Sequence, residues 1–261
     1  MPSNLAGKVA LVTGSSAGIG KAIALKFAEN GANLILHGKD PTPELGQDVV
    51  KEVISLGREA IFEEADINNY PEVKRMVDRG IERFGKIDIL VVSGGAVALF
   101  GKARFFRDTD PEDYFDLAKI QWLNRAYCVK AAINYMIERQ SGKIVMLGTD
   151  AGRWPTPGES MVGASGAALV LMTKTLAQEF ARWKIRINTI SLTVISDSPL
   201  IRDMLDSDHP VAKVFKKALE KQPFPVTQND IAEAALFLAS DLSDAITGQT
   251  LSINGGLCYP G

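Results

Sequence analysis

Gly14, Gly18 and Gly20 are spaced so that the backbone around them can hold a phosphate. They lie in the run Thr13-Gly14-Ser15-Ser16-Ala17-Gly18-Ile19-Gly20. An apolar run, Val9-Ala10-Leu11-Val12, precedes it and reads as a buried strand. An amphipathic stretch, Lys21 to Asn30, follows and reads as a helix ended by Gly31. A strand, a glycine turn and a helix start together make an anion site. Free backbone N–H groups point outward there, and the helix dipole favours negative charge. Glycines let the backbone come close to a pyrophosphate. The chemistry expected of this stretch is dinucleotide binding.

Such a loop works at the carboxyl edge of a parallel sheet, and the rest of the sequence supplies one. Asn33–His37, Ala60–Phe62, Ile87–Val92, Lys143–Leu147, Ile185–Ile190 and Thr250–Ile253 read as further strands. Helical patterns separate them: Glu44–Leu56, Glu72–Phe84 behind Pro71, Pro111–Glu138, Met161–Trp183, Pro199–Lys221 broken at Pro210, and Asn229–Ser240. Strands alternating with helices predict an α/β fold: a Rossmann-type doubly wound parallel sheet of about seven strands, with helices on both faces. With 261 residues, 46% of them hydrophobic, residues 1–261 are expected to form a single domain. The net charge of −2 is spread over the chain, which argues against nucleic acid, and no apolar run reads as long enough to cross a membrane. Met1–Lys8 lacks the apolar core of a signal peptide, and Cys128 and Cys258 read as free thiols, so a cytoplasmic location is expected. His37 and His209 are isolated, and no metal site is expected.

With its preceding threonine, the Gly-x-x-x-Gly-x-Gly spacing resembles that of the short-chain dehydrogenase/reductase family. Ile246-Thr247-Gly248-Gln249-Thr250 and Ile253-Asn254-Gly255-Gly256 resemble that family's C-terminal signature, so the likeness runs from Lys8 to Gly256. It implies that Gly14, Ser15, Ser16, Gly18, Ile19 and Gly20 cradle a nicotinamide dinucleotide. It places His37-Gly38-Lys39-Asp40 beside the adenosine ribose. A cation there accepts a 2′-phosphate and an acid bonds a 2′-hydroxyl. Lys39 therefore argues for NADP(H) and Asp40 for NAD(H); NADP(H) is the cofactor expected. Asp66 and Ile67 are implied to lie against the adenine. Val92-Ser93-Gly94-Gly95 stands where the family has Asn-Asn-Ala-Gly, with Ser93 and Gly94 close to the cofactor.

The catalytic half departs from the family. Where relatives carry a serine, a tyrosine and a lysine, this chain has Thr149, Val162 and Gly166. The family's asparagine falls on Gln121, or on Asn124 a turn later. Asp197 or Ser198 replaces the threonine that holds the nicotinamide amide. Valine donates no proton and glycine carries no charge, and losing a positioned acid costs about 10²–10⁴-fold in rate. The catalytic set implied is Asp150, Thr149, Gln121 and Trp154. Asp150 is expected to face a tryptophan-lined pocket, as an acid of raised pKa or, ionised, as the partner of a cation. A turn-stabilising carboxylate is the other reading of Asp150. Glu159 and Ser160 read as an N-cap, and Phe100, Phe105 and Phe106 as pocket lining or plain packing.

The function expected is NADP(H)-dependent hydride transfer to an imine, iminium, activated alkene or carbonyl of a small molecule, without the usual tyrosine acid. Such chemistry suits a secondary-metabolite pathway and can be coupled to a cyclisation. The alternatives are a non-redox lyase, cyclase or hydrolase, or an NADP(H)-binding protein without turnover. The long helices Pro111–Glu138 and Met161–Trp183 pair subunits in relatives, so a homodimer or homotetramer is expected.

Overall fold

Seven strands alternate with helices along the chain, here a computed structural model that describes residues 4–39, 43–94, 104–209 and 211–261. Asp40, Gly95, Phe100 and Pro210 lie outside the described residues. The strands are β1 (Val9–Thr13), β2 (Asn33–Gly38), β3 (Ala60–Glu64), β4 (Ile89–Val92), β5 (Gly142–Thr149), β6 (Ile185–Leu192) and β7 (Thr250–Ile253). All pair in parallel, in the order β3-β2-β1-β4-β5-β6-β7. The order reverses between β1 and β4, and a doubly wound sheet binds its ligand in the crevice at that point.

Among the described residues the longer helices are α1 (Gly18–Glu29), α2 (Pro43–Ser55), α3 (Tyr70–Phe84), α4 (Asp113–Ala118), α5 (Asn124–Glu138), α6 (Ser160–Phe180), α7 (Pro199–Leu205), α8 (Ala212–Lys221) and α9 (Gln228–Ala239). Local chemistry fixes their ends. Pro71 opens α3, and Gly85 closes it in the left-handed conformation. A reciprocal Thr227–Asp230 capping box starts α9. The stretch Pro111–Glu138, read as one or two helices with the second long, holds two, the short α4 and the long α5, joined by a wide π turn at Lys119–Leu123. The segment Pro199–Lys221 divides into α7 and α8.

Both faces of the sheet are covered, which explains why its central strands β1 and β4 read as apolar runs. In β1, Ala10 and Val12 pack with α1, α2 and α9, while Val9 and Leu11 pack with α3, α5 and α6. By length and composition, Ser160–Trp183 could cross a membrane, contrary to the sequence expectation. Its inner face, from Val162 and Gly163 through Leu169 to Ala177, is instead protein core.

Candidate active site

The glycine turn is braced from below. Gly14 and Gly18 take left-handed backbone angles, φ +63° and +58°. A Cβ on Gly14 would meet Gly94 Cα at 2.7 Å, so the ends of β1 and β4 touch. A Cβ on Gly20 would meet the Gly14 carbonyl oxygen at 2.2 Å, which fixes α1 against the turn. Gly18 is different: its Cβ would meet only Gln228 Oε1, at 3.8 Å. The open side of the turn is therefore at Gly18, where a diphosphate can approach. Thr13 Oγ1 accepts N–H bonds from Ser93 and Gly94 at 3.0 and 3.2 Å, tying β1 to β4 across the crevice.

His37, read from sequence as isolated, is part of this brace. Its Nδ1 accepts the Gly14 N–H at 2.9 Å, and Nε2 lies 2.9 Å from the Ala65 carbonyl oxygen. The ring is thus neutral with its proton on Nε2, and burial holds its pKa below the ordinary value. Ser15 joins in: the His37 N–H donates to Ser15 Oγ at 2.9 Å. At the ends of β2 and β3, Lys39 Nζ lies 2.6 Å from Asp66 Oδ2. Burial raises the Asp66 pKa, but Lys39 and Asn68 outweigh it and hold the carboxyl below its usual value. Ile67 is buried, with Cδ1 3.1 Å from where a Gly94 Cβ would be. The predicted cofactor residues therefore converge at the carboxyl ends of β1, β2, β3 and β4. The bare glycine edge at Gly18, at the start of α1, suits a dinucleotide.

A cavity of about 340 Å³ opens at the carboxyl ends of β5 and β6. Thr149, Trp154 and Glu159 line it together with Leu192, Thr193, Val194 and residues of α8. Asp150 does not line it, which corrects the expectation that this carboxylate faces the pocket. It is 1% exposed and turned toward β7. Its Oδ1 accepts from Ser252 Oγ at 2.6 Å and from Arg153 Nη2 at 3.3 Å, and its Oδ2 accepts from Asn254 Nδ2 at 2.9 Å. Asp150 is a tie between the β5 end and β7. Gln121 is buried in the π turn and is not on this cavity either. Asp197 accepts the Gln228 N–H at 2.9 Å at the start of α9.

Glu159 stands where the sequence placed it, at the N-cap position of α6, but its side chain makes no capping bond. It points into the cavity, where burial pushes its pKa up to about 7. The missing clue was local: Ser160 and Met161 cannot by themselves show which way an N-cap carboxyl turns.

Val162 is buried against Leu117 and Ile120. A Cβ on Gly166 would lie 2.9 Å from Thr149 Cγ2 and 3.1 Å from Gly152 Cα. Gly163 and Gly152 are equally tight: Cβ atoms there would meet Ala151 O at 2.6 Å and the Gly166 carbonyl carbon at 2.5 Å. Thus α6 lies flush on the Asp150–Gly152 turn, and no long side chain fits at position 166. Deeper in, the Arg125 guanidinium donates to the carbonyls of Leu147 and Ile120 and to Asn124 Oδ1. Burial without a carboxylate lowers its pKa to about 10.

Residues 14–258 match the family described as enoyl-(acyl carrier protein) reductase. The chain is 31% identical over 261 residues to the 3-oxoacyl-(acyl-carrier-protein) reductase FabG of Chlamydia pneumoniae, covering 99% of this chain and 100% of that one. It is 35% identical to the oxidoreductase UcpA of Salmonella typhimurium, over 98% and 96% of the two chains. The chain belongs to the short-chain dehydrogenase/reductase family. Among solved structures, carveol dehydrogenase from Mycobacterium avium in complex with NAD superposes with a TM-score of 0.87 at 26% identity, over 98% of this chain and 99% of that one. A dehydrogenase/reductase from Sinorhizobium meliloti superposes with a TM-score of 0.84 at 28% identity, over 98% and 97%. As a short-chain dehydrogenase/reductase the chain is an oxidoreductase by class. Its sheet order and glycine turn are those on which that class is built.

Proposed function

We propose that this chain is an NADP(H)-dependent reductase in which Glu159, rather than a tyrosine, provides the acid or the counter-charge. The observation that carries this is the cavity itself. It holds a desolvated carboxyl, and among the described residues no tyrosine lines it. Close packing at Gly166 leaves no room for a lysine behind it. Gly14, Ser15, Ser16, Gly18, Ile19 and Gly20 hold the diphosphate, and Ser93 and Gly94 flank its path. Lys39, fixed in place by Asp66, supports a 2′-phosphate and hence NADP(H). Bound there, the nicotinamide supplies a hydride.

The residues around it divide the remaining work. Ionised, the Glu159 carboxylate lies in an apolar wall where it stabilises a C=N⁺ cation; hydride addition then leaves a neutral amine and needs no proton. Protonated, the same group donates to an activated alkene or carbonyl, and a pKa near neutrality serves that role at physiological pH. Thr149 and Trp154 orient the substrate beside it. The outward face of α6, where Leu171 is 66% exposed, supports pairing with a second copy of the chain.

The test is reduction of cyclic iminium, enone and ketone substrates by the purified protein, followed through oxidation of NADPH and NADH. Glu159→Gln lowers kcat by about 10²–10⁴-fold for substrates that need a proton. Lys39→Glu weakens NADPH and spares NADH. Unchanged turnover in Glu159→Gln sinks the assignment.

A further inference from the structure

The cavity lining carries both signs of charge together with apolar surface. Glu159 stands on the wall formed by the β5–α6 connection, and Lys217 and Lys221 stand on α8. Four residues apart, the two lysines share one helix face, a turn from each other. Among the described residues neither has a hydrogen bond or an ion pair. Pro155, Leu192, Val194, Val214, Phe215 and Leu257 give the same cavity its apolar surface.

We propose that the substrate is an anionic amphiphile: an apolar body in the cavity, its reducible group at Glu159, and a terminal carboxylate or similar anion at Lys217 and Lys221. This rests on the proposal that the cavity takes the substrate, and it adds the substrate's chemical class. A cavity of about 340 Å³ is at the small end of ligand pockets, so the body is a short chain or one or two rings. Two exposed ammonium groups on the lining select an anion over a neutral or cationic head, and their exposure makes that selection sensitive to salt.

Calorimetric titration of the full chain with octanoate, octanamide and octylammonium tests this directly. Octanoate is expected to bind about 5–10-fold more tightly than octanamide at low salt, with octylammonium weakest. In Lys217→Gln/Lys221→Gln the preference falls to about twofold or less, with the unfolding temperature unchanged. In Lys217→Glu/Lys221→Glu octylammonium becomes the favoured probe. Equal affinities, no binding by any probe, or a preference for octanoate that survives both double variants overturns the proposal. These measurements need no turnover, so they stand apart from the Glu159→Gln kinetics, whose failure would remove the acid but not the anion site.

Discussion

Replacing Asp150 by asparagine separates a structural carboxylate from a chemical one. Asp150 and Arg153 form an ion pair at 3.3 Å, with side chains 1% and 14% exposed. Asp150→Asn keeps the volume and the capacity to accept from Ser252, but it leaves the Arg153 guanidinium with no carboxylate. Removing one member of a buried pair costs about 3–5 kcal/mol. Arg153 Nη2 keeps its 2.5 Å bond to Ser252 Oγ, which places the loss at the lower end, about 3 kcal/mol. For a chain of this size each kcal/mol moves Tm by about 2–4 °C, so a fall of about 6–12 °C is expected. Thermal unfolding followed by circular dichroism at neutral pH measures it. Adding Arg153→Gln removes the stranded charge and should recover part of the loss, as coupled neighbours do. A Tm within about 1 °C of the parent, together with abolished hydride transfer, would refute the structural role and return Asp150 to the chemistry.

Glu159→Gln should stabilise the protein at pH 8 by about 1–3 kcal/mol and do almost nothing at pH 4, below the unfolded carboxylate's own pKa. Burial raises the folded-state pKa to about 7, so the folded chain holds this proton more tightly than the unfolded one and loses stability as pH rises from the ordinary carboxylate range to neutrality; urea unfolding at both pH values reads the difference. His37 has the opposite sign. Its pKa is lowered on folding, so its contribution is whole above the unfolded value of about 6.5 and is lost as pH falls below it, a slope that His37→Gln should flatten in urea titrations. Gly18→Ala and Gly20→Ala should part company. The first adds a strained backbone and a methyl on the open side, weakening NADPH binding with a modest loss of stability of about 1–2 kcal/mol. The second drives a methyl into the Gly14 carbonyl, so the loss appears in Tm before it appears in cofactor affinity.

The centre of the sheet was legible because β1 and β4 are buried throughout and apolar at every position but Thr13. The ends were not. Strands β5 and β6 run on through Gly148, Thr149 and Ser191, small or polar residues that still pair in register. The π turn at Lys119–Leu123 has no sequence signal; the residues around it are ordinary helix formers. The glycine turn was legible since strand, turn and helix are contiguous. Asp150 was not, because Ser252 and Asn254, which decide where it points, lie about a hundred residues away. His37 looked isolated for the same reason: its partner Gly14 is 23 residues distant and joins it only across neighbouring strands.

That bond between the His37 imidazole and the Gly14 amide reaches into binding thermodynamics. The first amide of the turn is anchored by the protein's own side chain, so the arriving dinucleotide finds its seat already assembled. Little backbone freedom is left to surrender, and association should draw on contact enthalpy without a large ordering penalty. Acidification that protonates this ring would loosen the seat before it unfolds the sheet, and affinity for nucleotide would fade ahead of the global transition.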